Sequence, residues 1–202
     1  MTISEVLARV GLEINPFIKV PYTPNQILVV ANDAYRTIAL LSESLIQVVD
    51  VTPTGSSYSF TLTDPTKGEY IRVKTATQSG RPLAYVPQYL LIETGVMPVY
   101  PSYTYYFTST SRKVSLAGVT PNVAVKLGLE WAPKGMVLVN DSDQTEFSNE
   151  VDNAFINYLM FLLAVKGEWE NPAHLQSQLN SYMAELSKFS WMPIKENAAQ
   201  TK

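Results

Sequence analysis

Residues 143–189 constrain the fold more than any other stretch, because they read as two helices folded back on each other. From Val151 the apolar residues recur as Val151, Phe155, Tyr158, Leu159 and Leu162, and Ile156, Met160 and Leu163 add a second stripe beside the first. A helix apolar on most of its circumference must be covered on two sides, by its own domain or by a neighbouring copy. The apolar run 155–165 is too short for a bilayer, which needs roughly 20 such residues. Asp143 with Glu146 offers a capping-box start, and Ser148 an alternative one. Gly167 supplies a left-handed stop, after which Asn171 and Pro172 restart a helix as N-cap and first helical residue. Leu175, Leu179, Tyr182 and Leu186 then form a narrow seam. The pair is an antiparallel helical hairpin joined by Gly167, Glu168, Trp169 and Glu170.

Upstream, residues 4–12 read as a short amphipathic helix carrying Val6, Leu7 and Val10. At Thr23-Pro24 an N-cap and a first-turn proline coincide, and Ile27, Ala31, Ala34, Ile38, Leu41 and Leu45 keep a helical stripe behind them. The run Val48, Val49, Val51 and Thr52 ends that helix. From there the period changes from 3.6 to 2. Tyr58, Phe60 and Leu62 alternate with Ser59, Thr61 and Thr63, and residues 70–74 repeat the pattern after a turn. Further strands are expected at 83–86, 89–92, 103–108, 113–116 and 123–131, separated by turn chemistry at Gly80, Gly95, Gly118 and Pro121. The expected fold class is therefore α+β: helices at both ends packed together, with a small, mostly antiparallel β-sheet domain inserted between them. The boundaries so read are 1–53 for the first helices, 54–140 for the inserted sheet, 141–189 for the hairpin and 190–202 for a tail. That tail has a polar end, yet Phe189, Trp191, Met192 and Ile194 are too apolar for a solvated segment, so it docks on its own domain or on a partner.

Sequence chemistry excludes more than it offers. A net charge of −3, a pI near 5.2 and no clustered Lys or Arg argue against avid nucleic-acid binding. Without cysteine there is no disulfide framework, thiolate metal site or cysteine nucleophile. The first residues lack a basic leader and an apolar signal core, which places the chain in a cytoplasm. His174, the one histidine, has no nucleophile motif to serve and reads as a surface residue. Glu168 and Glu170 flank Trp169 in a solvated acidic loop without metal-ligand spacing. Asp64 and Glu69 bracket a turn and suggest a two-carboxylate hydrolase, but nothing fixes their separation. No glycine motif cradles phosphate. Lys67, Arg72, Lys74, Arg81, Arg112 and Lys113 are scattered over strand faces and loop tips. The tyrosine cluster is more informative: alternation puts Tyr103 and Tyr105 on one face and Tyr106 on the other, near Tyr100 and Phe107. Such a sheet is buried twice or binds with one face. No catalytic, cofactor-binding or metal residue is expected.

Taken together, the plan resembles the head-to-tail adaptor proteins of tailed bacteriophages, the group that includes tail-tubular-protein-A-like and head-completion proteins. Leu7, Ala8, Arg9, Val10 and Gly11 in a first helix, a long second helix over 24–47, the strands 58–64 and 70–73, and the closing helices with Glu170, Asn171, Pro172, Tyr182 and Leu186 carry the likeness. The resemblance implies a homo-oligomeric ring, expected to be a dodecamer, beneath a portal protein. It implies a tail or nozzle protein as a further partner, and viral DNA passing through the channel without sequence-specific binding. Head-to-tail contacts that close on rotation bury one patch against a different one, and the expected interface residues are Phe155, Ile156, Met160, Leu163, Trp169, Tyr103, Tyr105 and Tyr106. Phe189, Trp191, Met192 and Ile194 are the expected portal-docking tail. The implied place is the neck of a virion assembled in the host cytoplasm, with no membrane association. The alternatives are another neck or tail ring protein, a small-molecule binding module using the tyrosine-rich sheet, and, last, an enzyme acting through His174 or Asp64.

Overall fold

A computed structural model describes residues 1–90, 100–107 and 112–189 of the chain, which divides into two compact units. Residues 1–44 and 133–202 form a helical unit, and residues 45–132 form a β unit. The division falls at 45 and 132 instead of at the expected 54 and 140.

In the helical unit, α1 (Ile3–Glu13) opens on a capping box in which the Thr2 hydroxyl accepts from the Glu5 N–H and the Glu5 carboxylate accepts from the Thr2 N–H. A short 3-10 turn at Asn15–Phe17 leads to α2 (Pro24–Ser42), opened in the same way by Thr23 and Gln26. The second helix stops at Ser42, three residues before its apolar stripe does at Leu45. Glu43 takes a left-handed conformation at φ 51°, and the β-branched residues beyond it become a strand. Residues 45–47 are thus not helical as expected.

The hairpin consists of α3 (Asn149–Lys166) and α4 (Pro172–Leu186). Of the two candidate starts, Ser148 is the N-cap; Asp143 instead turns its carboxylate on the Val139 and Asn140 N–H groups. Asn171 caps α4 as read, accepting from the Ala173 and His174 N–H groups. Gly167 does not adopt the expected left-handed cap; its φ is −75°. Glycine is needed there for space, since a Cβ would lie 2.9 Å from Ile18 Cγ2. Both flanks of α3 are covered, by α2 and by α4, and Phe155, Ile156, Leu159, Met160 and Leu163 are fully buried. Each such side chain contributes roughly 1.5–3 kcal/mol of burial. No helix among the described residues is long and apolar enough to cross a membrane.

The β unit holds two four-stranded sheets where one was expected. The strands are β1 (Ile46–Val51), β2 (Ser57–Leu62), β3 (Gly68–Gln78), β4 (Arg81–Pro82), β5 (Ala84–Tyr85), β6 (Ser102–Phe107), β7 (Arg112–Ala117) and β8 (Val125–Pro133). Their orders are β1-β8-β3-β4 and β2-β7-β6-β5. β1 pairs with β8, β2 with β7, β3 with β4 and β6 with β7 in antiparallel fashion, and β5 with β6 in parallel. Consecutive strands β2 and β3 therefore enter different sheets. Residues 88–90 form a helical turn instead of the expected strand, with the Leu90 N–H donating to the Pro87 carbonyl; Ile92 lies outside the described residues, as do Gly95 and Thr108. Leu62, Val114, Leu116 and Tyr103 from one sheet and Val73, Leu127 and Leu129 from the other supply buried core. At Gly68, a Cβ would fall against the Ala132 carbonyl oxygen and 2.7 Å from Trp131 Cε3.

Gly68→Ala is therefore expected to cost about 1–3 kcal/mol by overpacking. Gly11→Ala, where a Cβ in α1 meets nothing within 4 Å, is expected to gain up to about 1 kcal/mol. Urea unfolding of both variants measures the contrast.

Candidate functional site

The acidic and histidine candidates sit among structural neighbours. His174 is half-buried instead of a freely exposed surface residue. Its ring lies 4.1 Å from that of Phe17 and 5.4 Å from that of Trp169, and its Nε2 is buried without a hydrogen-bond partner. The aromatic set is assembled by two loops: Lys19 N–H donates to the Glu168 carbonyl, and Glu170 N–H to that of Phe17. Trp169 is buried, with its indole N–H on the Ala164 carbonyl at 2.8 Å. Glu168 sits beside Lys19 at 3.7 Å and, like Glu170, is exposed.

Asp64 and Glu69 are brought together, but around a guanidinium. Arg112 Nε is 3.3 Å from Asp64 and its Nη2 is 3.4 Å from Glu69, while Asp64 also accepts the Tyr70 N–H. Two carboxylates held this way neutralise an arginine instead of activating a water. Arg72 is likewise committed, at 2.7 Å, to Glu130, a buried carboxylate that Lys74 approaches at 4.0 Å. Among the described residues no group of three His, Cys, Asp or Glu could hold a metal ion.

The tyrosine-rich sheet has the two faces that alternation demands. Tyr103 and Tyr105 share one face with Tyr85, whose ring is 5.4 and 5.1 Å from theirs; Tyr103 is buried and Tyr105 half-buried. Burial raises the Tyr85 hydroxyl pKa, and the neighbouring Tyr105 hydroxyl adds to the effect. Tyr106 is on the opposite face and exposed. Tyr103 pairs with Leu116 and Tyr105 with Val114, so the aromatic face is the core face of its sheet.

Of the expected interface residues on α3, Phe155, Ile156, Met160 and Leu163 are interior and unavailable to a neighbour, because α2 and α4 cover them. Trp169 is buried too. The less covered side of α3 is a different stripe, Tyr158, Phe161, Leu162 and Val165, spaced three, one and three residues apart; Val165 is exposed and the others half-buried. Phe189 is half-buried at the rim of a cleft of about 570 Å³ that Arg9, Glu150, Asn153, Asn157, Glu185 and Lys188 also line. Trp191, Met192 and Ile194 lie outside the described residues.

Two polar joints escaped the sequence reading. Asn32, buried in α2, donates to the Leu28 and Leu138 carbonyls and accepts from the Val137 and Leu138 N–H groups. The signal was an amide directly beside the apolar stripe, next to Ala31. The second joint is Asp152, which binds the Met1 ammonium at 2.7 Å and the Thr145 hydroxyl. Beside it the buried Tyr35 hydroxyl accepts the Glu146 N–H, and burial pushes its pKa up to about 12.

A scaffold of capped helices and an inserted pair of sheets define an α+β protein. The chain belongs to the SU10 adaptor protein family, whose family model matches residues 1–198, and so to the phage adaptors. No curated protein matches it.

Asn32→Ala is expected to cost about 2–4 kcal/mol, since it leaves backbone groups of residues 137 and 138 unpaired. Hydrogen exchange should accelerate at those amides first. The raised Tyr35 pKa gives a pH signature. Its contribution is complete below pH 10, where the phenol is neutral in both states. It is lost as pH rises from about 10 towards 12, because the unfolded chain ionises first. Tyr35→Phe should flatten the fall in unfolding free energy across that window.

Proposed function

We propose that the chain is a head-to-tail adaptor of a virion neck. Copies form a ring beneath the portal protein, extend the DNA channel towards the tail and present the attachment surface for a tail or nozzle protein. The observation that carries this reading is a family match over residues 1–198, joined to an α+β plan that follows the same adaptor resemblance. Supporting it, the chain is mildly acidic, and Arg72 and Arg112 are tied to carboxylates, so the protein offers little to hold a sliding phosphate backbone. The ring is taken to be twelve-fold and assembled in the host cytoplasm.

Within this reading the neighbour contact on the helical unit uses Tyr158, Phe161, Leu162 and Val165, the stripe of α3 that its own chain leaves partly open. Of the three tyrosines of β6, Tyr106 is the exposed one available to a partner, with Tyr103 and Tyr105 supporting it from the core side. Residues 189–202 carry Phe189, Trp191, Met192 and Ile194 to the portal.

Native mass spectrometry of the protein alone and mixed with the portal protein encoded beside it tests the proposal. The expected outcome is a defined multi-copy complex with portal, lost when residues 189–202 are deleted while circular dichroism stays unchanged. A protein indifferent to portal would instead assign it to another level of the neck or tail.

A further inference from the structure

Each sheet of the β unit has one long outer strand and one short one. The short strands, β4 and β5, are two residues each and lie in a segment carrying Arg81, Pro82 and Pro87, which blunts an edge by charge and by missing N–H groups. The long strands, β1 and β2, have six residues each, contain no proline and carry one charge between them, Asp50. Among the described residues neither has a strand on its outer side.

Burial follows the same asymmetry. On the core face, Val49 and Val51 of β1 and Tyr58 and Phe60 of β2 are only half-buried. Their partners one strand further in, Leu127 and Val125, Leu116 and Val114, are completely buried. Apart from Leu62, buried at the end of β2, the apolar interior thus stops one strand short along both edges. On the outer face of β1, Ile46 is 42% and Val48 65% exposed.

We infer that β1 of one copy adds to β2 of the next, so that the sheets of neighbouring copies continue into each other. The inference rests on the ring reading above. The two strands match when run in parallel. Core-facing Gln47, Val49 and Val51 then meet Tyr58, Phe60 and Leu62, and outward-facing Val48 meets Ser59. Asp50 comes beside Thr61, whose partner on β7 is the exposed Lys113, a counter-charge. One chain cannot make this pairing within itself, because residues 52–56 are too few for a parallel crossover of about a dozen. Joining two different edges is a head-to-tail contact, the kind that closes into a ring.

The chain has no cysteine, so introduced thiols are unique. Val48→Cys and Ser59→Cys variants, each alone, both mixed, and combined in one chain, are assembled with portal and oxidised. Expected are disulfide dimers in the mixture, none with either variant alone, and a ladder of linked copies from the doubly substituted chain. A normal multi-copy complex without cross-links would overturn the strand pairing and leave the ring reading standing. Self-linking of Val48→Cys alone would overturn it in favour of a two-fold contact. If the unsubstituted protein forms no multi-copy complex, the ring reading falls and this inference with it. Val48→Lys gives a second measure: at so exposed a site it should leave circular dichroism unchanged and weaken assembly at least about tenfold, the equivalent of about 1.4 kcal/mol. Undiminished assembly of that variant would overturn the pairing.

Discussion

An 18-residue helix with apolar side chains on most of its surface cannot rest against a single neighbour, and the helical unit is arranged around that requirement. The hairpin partner α4 covers one flank of α3 and α2 covers the other. The alanines Ala31, Ala34 and Ala39 on α2, and Ala154 and Ala164 on α3, are buried without bulk and leave room for the large residues between them. Tyr35 shows how closely polar and apolar demands are fitted. Its ring packs edge-on against Phe147 and Phe155, while its hydroxyl accepts a backbone N–H on the approach to α3.

A core of this kind does not say where the chain must go when it leaves and returns, and hydrogen bonds supply that information. One buried amide, Asn32, grips residues 137 and 138 as they come back to the helices. Asp143 turns the following residues by accepting from two consecutive N–H groups. Residues 141–145 then receive the start of α1 through the Ile3, Ser4 and Thr145 N–H bonds. These contacts are directional, where apolar burial is not, and a single misplaced one leaves a buried polar group unpaired.

Much of this was legible because the signals were local. Thr23-Pro24, Asn171-Pro172 and the alternation of Tyr103, Tyr105 and Tyr106 each need only their neighbours to be interpreted, and each is found in the structure. The misreadings share one origin. Leu45 continues a helical stripe by spacing, yet it belongs to the β unit, because Glu43 ends the helix in a conformation no residue pattern announced. Ile156, Met160 and Leu163 look like a surplus stripe only until α2 and α4 are in place. Gly167 is a steric requirement set by Ile18, distant in the chain, and His174 is enclosed by Phe17 for the same long-range reason.

The two ends of the β unit meet. Trp131 N–H donates to the Leu45 carbonyl at 3.0 Å, and Ile46 pairs with Glu130. To the helices on either side, everything from Leu45 to Ala132 is therefore equivalent to one tight turn, since the chain leaves and re-enters at nearly the same point. The entropy of closing that loop depends on the distance between its ends and only weakly on what lies within. Resizing the β unit therefore changes the cost of closing the helical scaffold little, much as a protein tolerates an insertion at an exposed loop.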